Sequence, residues 1–458
     1  MVKTKSLDLT QGSVTKKLIA FAIPILLTNV MQHLYTVADR VVVGQFAENG
    51  KLALAAVGST SSATTLFLNV FNGLAVGANV ICANRRGAKD QKGLELCSHS
   101  SMLLSVVIGL CVSLLGILVC KPMLTMMGTP GDILDLSTLY MRLYFLGIPA
   151  ASIYAFGANI LRAHGDTKRP MMILGISGLV NVFLNLVLVI GFHMSVAGVA
   201  IATISAQYVS AVWVVCILVS KKGEYQMSFK KLRFHGESMR SVVRVGVPSG
   251  LNGMVFTVSN LILQSALNGF GSAAIAGKTA ALDISTLVYQ GIGACYLASV
   301  SFSGQCYGAR QYKRIDSLVL RGTGLCIGYV TVMATICTLF PKTLLGMFNS
   351  DPEVIRIGTS LLLINSWGYI LYATSETTLG CLRGMGKSTI PMLLNFTGIC
   401  LPRIIWVLAI FPLNHDITFL YLCYPISWTI SAILQLSYYL ICRRKLKEPE
   451  QTVAAVEK

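Results

Sequence analysis

Residues 102–119 read MLLSVVIGLCVSLLGILV, eighteen consecutive positions without a charged side chain. At about 1.5 Å of rise per residue, a helix of this length covers most of a hydrocarbon core about 30 Å thick. The run GLCIGYVTVMATICTLF at 324–340 has the same character. Composition extends the reading to the whole chain. Its 458 residues are 54% hydrophobic and 12% charged, with a mean hydropathy of +0.67. Soluble domains carry about 25% charged residues, so the solvent for most of this chain is lipid.

Hydropathy and helix breakers mark twelve spans. They fall at 18–43, 52–83, 94–119, 132–161, 170–190 and 195–219, then at 240–268, 273–305, 318–340, 353–382, 389–411 and 417–442. Several exceed the ~20 residues of a straight crossing, which predicts tilt or kinks. The apolar run after the polar N-terminus is too long for a signal peptide, so it is expected as a retained first helix. Residues 220–239 hold Lys221, Lys222, Lys230, Lys231 and Arg233 and read as a polar strap between two lobes, with room for a short amphipathic stretch on the membrane surface.

The net charge of +18 is a matter of placement. Of 37 Lys and Arg, 28 lie at the termini and in the loops and flanks on their side; Lys51, Lys121 and Lys342 lie in the opposite loops, and the remaining six, Arg40, Arg142, Arg244, Lys278, Arg356 and Arg403, fall inside the spans or near their ends. The asymmetry puts both termini in the cytoplasm of a multi-pass protein of the cytoplasmic membrane. It also accounts for the basic charge without nucleic acid. The 13 cysteines show no CxxC spacing and read as small buried hydrophobes.

The halves repeat. Leu161-Arg162-Ala163-His164-Gly165-Asp166 with Pro170-Met171 returns as Leu382-Arg383-Gly384-Met385-Gly386-Lys387 with Pro391-Met392, at an offset of 221. Gly12-Ser13, Lys16 and Ile23-Pro24 return as Gly236-Glu237, Arg240 and Val247-Pro248 at 224, and Thr129-Pro130 as Asp351-Pro352 at 222. The expected fold is therefore an all-α integral membrane protein of about twelve transmembrane helices in two tandem six-helix lobes. The lobes are 1–225 and 226–446, and 447–458 form a cytoplasmic tail. An even number of spans per half relates the lobes by an axis along the membrane normal, and transport folds of this kind carry substrate between or within the lobes.

Charges inside apolar spans mark function. Asn29, Gln32, Thr36 and Asp39 are spaced by three, four and three and share one helix face. Such a stripe lines a cavity or a partner helix; the alternative is a surface pair of Asp39 with Arg40 at the helix end. Asn181 and Asn185, one turn apart, offer amide oxygens to a cation, donors to a substrate, or interhelical glue. Asn159 carries the same ambiguity, and Asn72 reads as glue. Glu376 serves either a proton or cation or a structural ion pair, and Asp283 reads as structural, paired with another helix. Pro24 and Pro248 favour kinks at matching positions. No Walker A sequence, HExxH, GxSxG or His/Cys ligand cluster occurs, which argues against an ATP-driven pump, an enzyme or a bound cofactor.

The set Ile23-Pro24, Ala38-Asp39, Val43-Gly44, Arg86-Gly87-Ala88, Leu161-Arg162, Gly165-Asp166-Thr167, Pro170-Met171 and Leu382-Arg383-Gly384 resembles the multidrug and toxic compound extrusion (MATE) family, in its DinF-like branch. The resemblance runs from about Gly12 to Cys442. It implies export of organic, often cationic, small molecules by exchange for H+ or Na+. The branch's first-helix acid falls on Asp39, and its fifth-helix Asn and Asp fall on Asn181 and Asn185, so one carboxylate is missing. The seventh-helix acid of another branch has no counterpart in 251–260. Asp39 and Glu376 then become the main carboxylate set. The expectation is an efflux antiporter, monomeric, with lipid and small-molecule substrates as partners. A lipid-linked saccharide flippase of the related superfamily is the alternative, and a membrane-embedded sensor or scaffold the third class.

Overall fold

The computed structural model describes residues 6–47, 49–220 and 227–446. Among these are twelve long helices. The first half contributes α1 (Val14–Phe46), α2 (Gly50–Gly87), α3 (Gln91–Met126), α4 (Gly131–Ala163), α5 (Lys168–Gly191) and α6 (Ser195–Val219). The second contributes α7 (Gly236–Asn268), α8 (Ser272–Gly308), α9 (Tyr312–Leu339), α10 (Pro352–Gly384), α11 (Thr389–Leu413) and α12 (Ile417–Arg444). Ten of them, all but α7 and α8, meet the length and hydropathy of a membrane span. Eleven of the twelve expected spans lie within one of these helices, and the ninth, 318–340, overruns α9 by one residue. Lys221, Lys222 and the tail at 447–458 lie outside the described residues.

Two helices depart from regular α-helical geometry. The α5 helix widens into a π turn at Leu186–Gly191. Along α11, π turns at Phe396–Cys400 and Trp406–Ile410 flank Leu401–Ile405. Pro402 explains part of this: its ring nitrogen donates no hydrogen bond to the preceding turn, so the helix reorganises around it. Within α1, Pro24 has no N–H to give the Ala20 carbonyl, which loosens the turn before it, and Thr28 Oγ1 donates to the Pro24 carbonyl at 2.7 Å in the turn after. The 220–239 strap forms no amphipathic helix among its described residues. It makes one 3-10 turn, Phe229–Lys231, and is fastened to α3 by Ser228 N–H on His99 Nε2 at 3.0 Å and by Lys231 on Glu95 at 2.8 Å. Phe229 and Phe234 stay exposed beside its basic residues.

Each half has its own apolar core: Phe71, Met141, Phe145 and Phe156 in the first, and Tyr369, Phe411, Tyr421 and Trp428 in the second. Within lipid no hydrophobic force draws helices together, so contact depends on close backbone approach through small residues. The α2 helix meets α7 through glycines: a Cβ on Gly73 would stand 2.1 Å from Gly250 N, and one on Gly77 2.4 Å from the Val242 carbonyl oxygen. Toward the end of the bundle that carries both chain ends, α2 meets α8 reciprocally. A Cβ on Gly87 would lie 1.9 Å from the Gln305 carbonyl oxygen, and one on Gly308 1.9 Å from that of Asn84. Gly87 and Gly308, like Asn84 and Gln305, are separated by the same offset as the repeated loops. This contact therefore sits on the pseudo-two-fold axis.

Residues 6–12 tie the same end together. Leu7 N–H donates to the Gly165 carbonyl at 3.1 Å, and Leu9 N–H to Gln305 Oε1 at 3.0 Å. From the other half, Arg314 donates to the carbonyls of Leu9, Gln11 and Gly12 at 2.7–2.9 Å. Burial pushes the Asp8 carboxyl up, but the Thr10 donors and the Lys17 and Arg86 charges outweigh it and hold it below the usual range.

The axis contact is tested by Gly308→Val, which forces a side chain into the Asn84 backbone. Overpacking of this kind costs about 1–3 kcal/mol. We expect a lowered melting temperature in detergent for this variant and an unchanged one for Gly324→Ala, where a Cβ meets no atom within 4 Å. Equal melting temperatures would mean that the axis is not tightly packed.

Candidate functional site

The polar stripe of α1 faces a cavity of about 580 Å³ enclosed mainly by α1, α2, α4, α5 and α6. Asn29, Gln32, Thr36 and Asp39 all line it, joined by Asn72, Asn159, Asn181 and Thr203. Along α4 the lining runs from Tyr140 to Arg162, which at 1.5 Å per residue is about 33 Å. The walls mix the aromatic rings of Tyr35, Tyr140, Tyr144 and Tyr154 with hydroxyls and amides. Arg40 and Arg162 also line it, and neither forms an ion pair with Asp39 among the described residues.

Asp39 accepts hydrogen bonds from two neutral side chains. Asn185 Nδ2 donates to Asp39 Oδ1, and Thr203 Oγ1 donates to Asp39 Oδ2 at 3.3 Å. Behind them, Asn181 Nδ2 donates to Thr203 Oγ1 at 3.4 Å, and Asn185 Nδ2 also donates to Asn181 Oδ1 at 3.3 Å. Asn185 is fully buried, and its own Oδ1 has no hydrogen-bond partner. The result is a carboxylate with amide and hydroxyl neighbours and an unmet carbonyl oxygen beside it. Carboxylate, amide and hydroxyl oxygens of this kind suit a proton on Asp39 or a hard cation among them.

Geometry explains why the acid meets α5. Tyr35, one turn before Asp39, lies against Gly178, where a Cβ would fall 1.8 Å from the ring, and its hydroxyl donates to the Gly175 carbonyl at 3.0 Å. Only glycine at 178 lets α1 and α5 come this close.

The other predicted residues separate. Asn159 lines the cavity but is engaged in packing: it accepts from Asn79 Nδ2 at 3.1 Å, and Asn79 bonds Ser301 of α8. Glu376 is absent from this cavity. It lies in the second lobe, where Arg383 and Asn395 act on it, so Asp39 and Glu376 do not form one carboxylate set. The separation lies along α1: its early turns share a core with Cys381 and Leu382 of α10, whereas Asp39 stands at its far end against α5 and α6. Asp283 has no ion pair among the described residues, and Lys278 bonds Gln264 Oε1 at 2.8 Å.

Comparison with known proteins decides the family. The MatE family model matches residues 24–187 and 248–407, one copy in each half. The chain belongs to the MatE family. Members are transporters that need no cofactor, and this is a multi-pass membrane transporter of small molecules. The probable multidrug resistance protein YoeA of Bacillus subtilis (strain 168) is 24% identical over 95% of this chain and 96% of its own length. Two solved structures share the fold. A MOP superfamily transporter from Pyrococcus furiosus, described as having a binding pocket of reversed polarity, aligns with a TM-score of 0.90 at 21% identity over 98% of this chain and 100% of its own. An outward-facing MATE transporter aligns at 0.89 and 22%, over the same shares. The two MatE matches begin at Pro24 and Pro248, the paired helix prolines.

Thr203, Gln207, Tyr140 and Tyr144 were not singled out by sequence. Their signal is present: Thr203, Gln207 and Ser210 follow helical spacing along α6, as Tyr140 and Tyr144 do on α4. The α1–α5 contact is tested by Gly178→Ala, which drives Tyr35 outward and draws Asp39 from Asn185. We expect transport to fall by about tenfold or more, the scale of one charge-assisted hydrogen bond. Gly175→Ala, whose Cβ would stand 3.6 Å from Met31 Sδ, should transport normally. Normal rates in Gly178→Ala would break the link between this packing and the site.

Proposed function

We propose that this MatE transporter is a secondary active efflux antiporter. It exports organic, cationic compounds across the cytoplasmic membrane in exchange for inward-moving H+ or Na+. Both termini face the cytoplasm, the lobes divide at about residue 225, and the chain works as a monomer without nucleic acid. One observation carries this reading: in a long aromatic-lined cavity, Asp39 is half-buried and hydrogen-bonded only to neutral side chains. A carboxylate held that way binds a cation or proton from one side of the membrane and must shed it before binding another, which is the requirement of exchange. Asn181, Asn185 and Thr203 orient it. Gln32 extends the polar wall toward substrate, and Asn159 holds the cavity's inner wall. The names of relatives such as YoeA support a multidrug substrate range.

Everted membrane vesicles test this directly. With an imposed H+ gradient, or separately a Na+ gradient, wild-type vesicles should accumulate ethidium, and the effective ion is the coupling ion. Asp39→Asn keeps the size and removes the ionisable group, so gradient-driven uptake should fall at least about tenfold at equal protein level. Uptake at the wild-type rate would place coupling elsewhere, first at Glu376. Ion-independent movement of a lipid-linked saccharide in place of ethidium would make the protein a flippase.

A further inference from the structure

The second lobe contains a polar cluster of opposite sign at the matching place. In the first lobe Asp39 of α1 is met by α5 and α6; in the second, Arg403 of α11 is met by α7 and α12. Arg403 is wholly buried in the membrane-spanning region. Its Nε donates to Ser427 Oγ and its Nη1 to Asn260 Oδ1, both at 3.1 Å. Ser427 follows Thr203 at the offset of the paired prolines. Arg403 stands one position past the counterpart of Asn181 at the offset of the repeated loops.

The polar atoms left unmet also reverse. Beside Asp39 the orphan is an acceptor, Asn185 Oδ1; around Arg403 the orphans are donors, Arg403 Nη2 and the indole Nε1 of Trp428. Guanidinium and indole groups only donate, so the missing group is an acceptor. Lys278, also buried, lies close enough for its charge and that of Arg403 to act on one another, and neither has an ion pair among the described residues. The buried acid of this lobe, Glu376, reaches the same tyrosines as Arg403, Tyr289 and Tyr372, but forms an ion pair with neither cation among the described residues, and two buried unpaired cations call for an anion. Aromatic faces surround the guanidinium: its Cζ is 4.7 Å from the Tyr424 ring centroid, 5.4 Å from Phe256 and 6.0 Å from Trp428.

We propose that the Arg403 cluster is an anion-binding subsite that takes the carboxylate or phosphate of an organic anion with a flat aromatic body. The anionic oxygens complete the guanidinium and the body packs on the rings. The proposal stands on the second lobe's geometry and not on coupling at Asp39. It adds a class of substrate that the cation reading leaves out: zwitterions and aromatic anions, recognised in one lobe while the other binds the exchange ion.

Calorimetric titration of the full chain in nanodiscs of neutral lipid tests it with three probes, 2-naphthoate, 2-naphthylmethylammonium and inorganic phosphate. Saturable binding of naphthoate, at least about tenfold tighter than that of the ammonium analogue or of phosphate, is expected. Arg403→Gln should lose it. Should that variant not fold, Asn260→Asp decides the matter, because a near-isosteric carboxylate beside the guanidinium supplies the missing acceptor from within. We expect Asn260→Asp to melt at or above the wild-type temperature and to bind naphthoate at least about tenfold more weakly. The proposal is overturned if the wild-type protein ignores naphthoate or binds the ammonium analogue as tightly, or if Asn260→Asp binds naphthoate with wild-type affinity. Phosphate binding as tight as naphthoate overturns the aromatic part of the assignment.

Discussion

In lipid, two six-helix lobes stay together only where backbones come within touching distance, and here that contact is made by glycines of α2, α7 and α8. Gly73, Gly77, Gly87 and Gly308 each stand where a single added carbon would collide with the backbone of the other half. Dispersion and backbone proximity supply the attraction that water supplies in a soluble core. Polar contacts fix the register: Asn79 of α2 and Ser301 of α8 bond one another across the seam. The close backbone contacts of this seam fall on α2, which leaves α4, α5 and α6 free to enclose space on its other flank together with the far end of α1.

The α1 helix is the element that connects seam to site. Its start follows the 6–12 segment bound to Gly165, Gln305 and Arg314. Its middle donates from Asn29 Nδ2 to the Gln290 carbonyl of α8 at 3.2 Å, and its far end presents Asp39 to α5 and α6. Pro24 lies between the first two of these anchors, and the turn it weakens is the one before it. A change in the occupant of Asp39 therefore acts on a helix tied to both lobes, which is the arrangement an exchanger needs to couple ion binding to lobe movement.

Much of this was legible in the residues. Charge-free runs marked the helices because a charge in hydrocarbon is costly, and the three-four-three spacing of Asn29, Gln32, Thr36 and Asp39 marked the cavity face. The pairing of Asp39 with Asn185 needed the resemblance to a family as well as spacing, since no local pattern joins positions so far apart in the chain. Thr203 and Gln207 were hidden by the apolar run around them. The grouping of Asp39 with Glu376 failed because counting carboxylates ignores which lobe encloses each. Arg403 and Lys278 appeared only as charges left over from the topology count; their shared surroundings arise from α7, α8, α11 and α12 coming together, which periodicity along one helix does not encode.

The central claim is that occupancy of Asp39 governs the opening of the seam at the end carrying the termini. Lys89 and Arg310, in matching tight loops of the two halves with φ of +57° each, flank that seam from opposite lobes. Spin labels at these two positions, with the accessible Cys111, Cys216, Cys295 and Cys442 replaced by serine, report the distance across it in nanodiscs. The account predicts two distance populations whose balance shifts with pH or Na+, and a single population insensitive to both in Asp39→Asn. One unchanging distance in a transport-active protein, or an unaltered shift in Asp39→Asn, would contradict it.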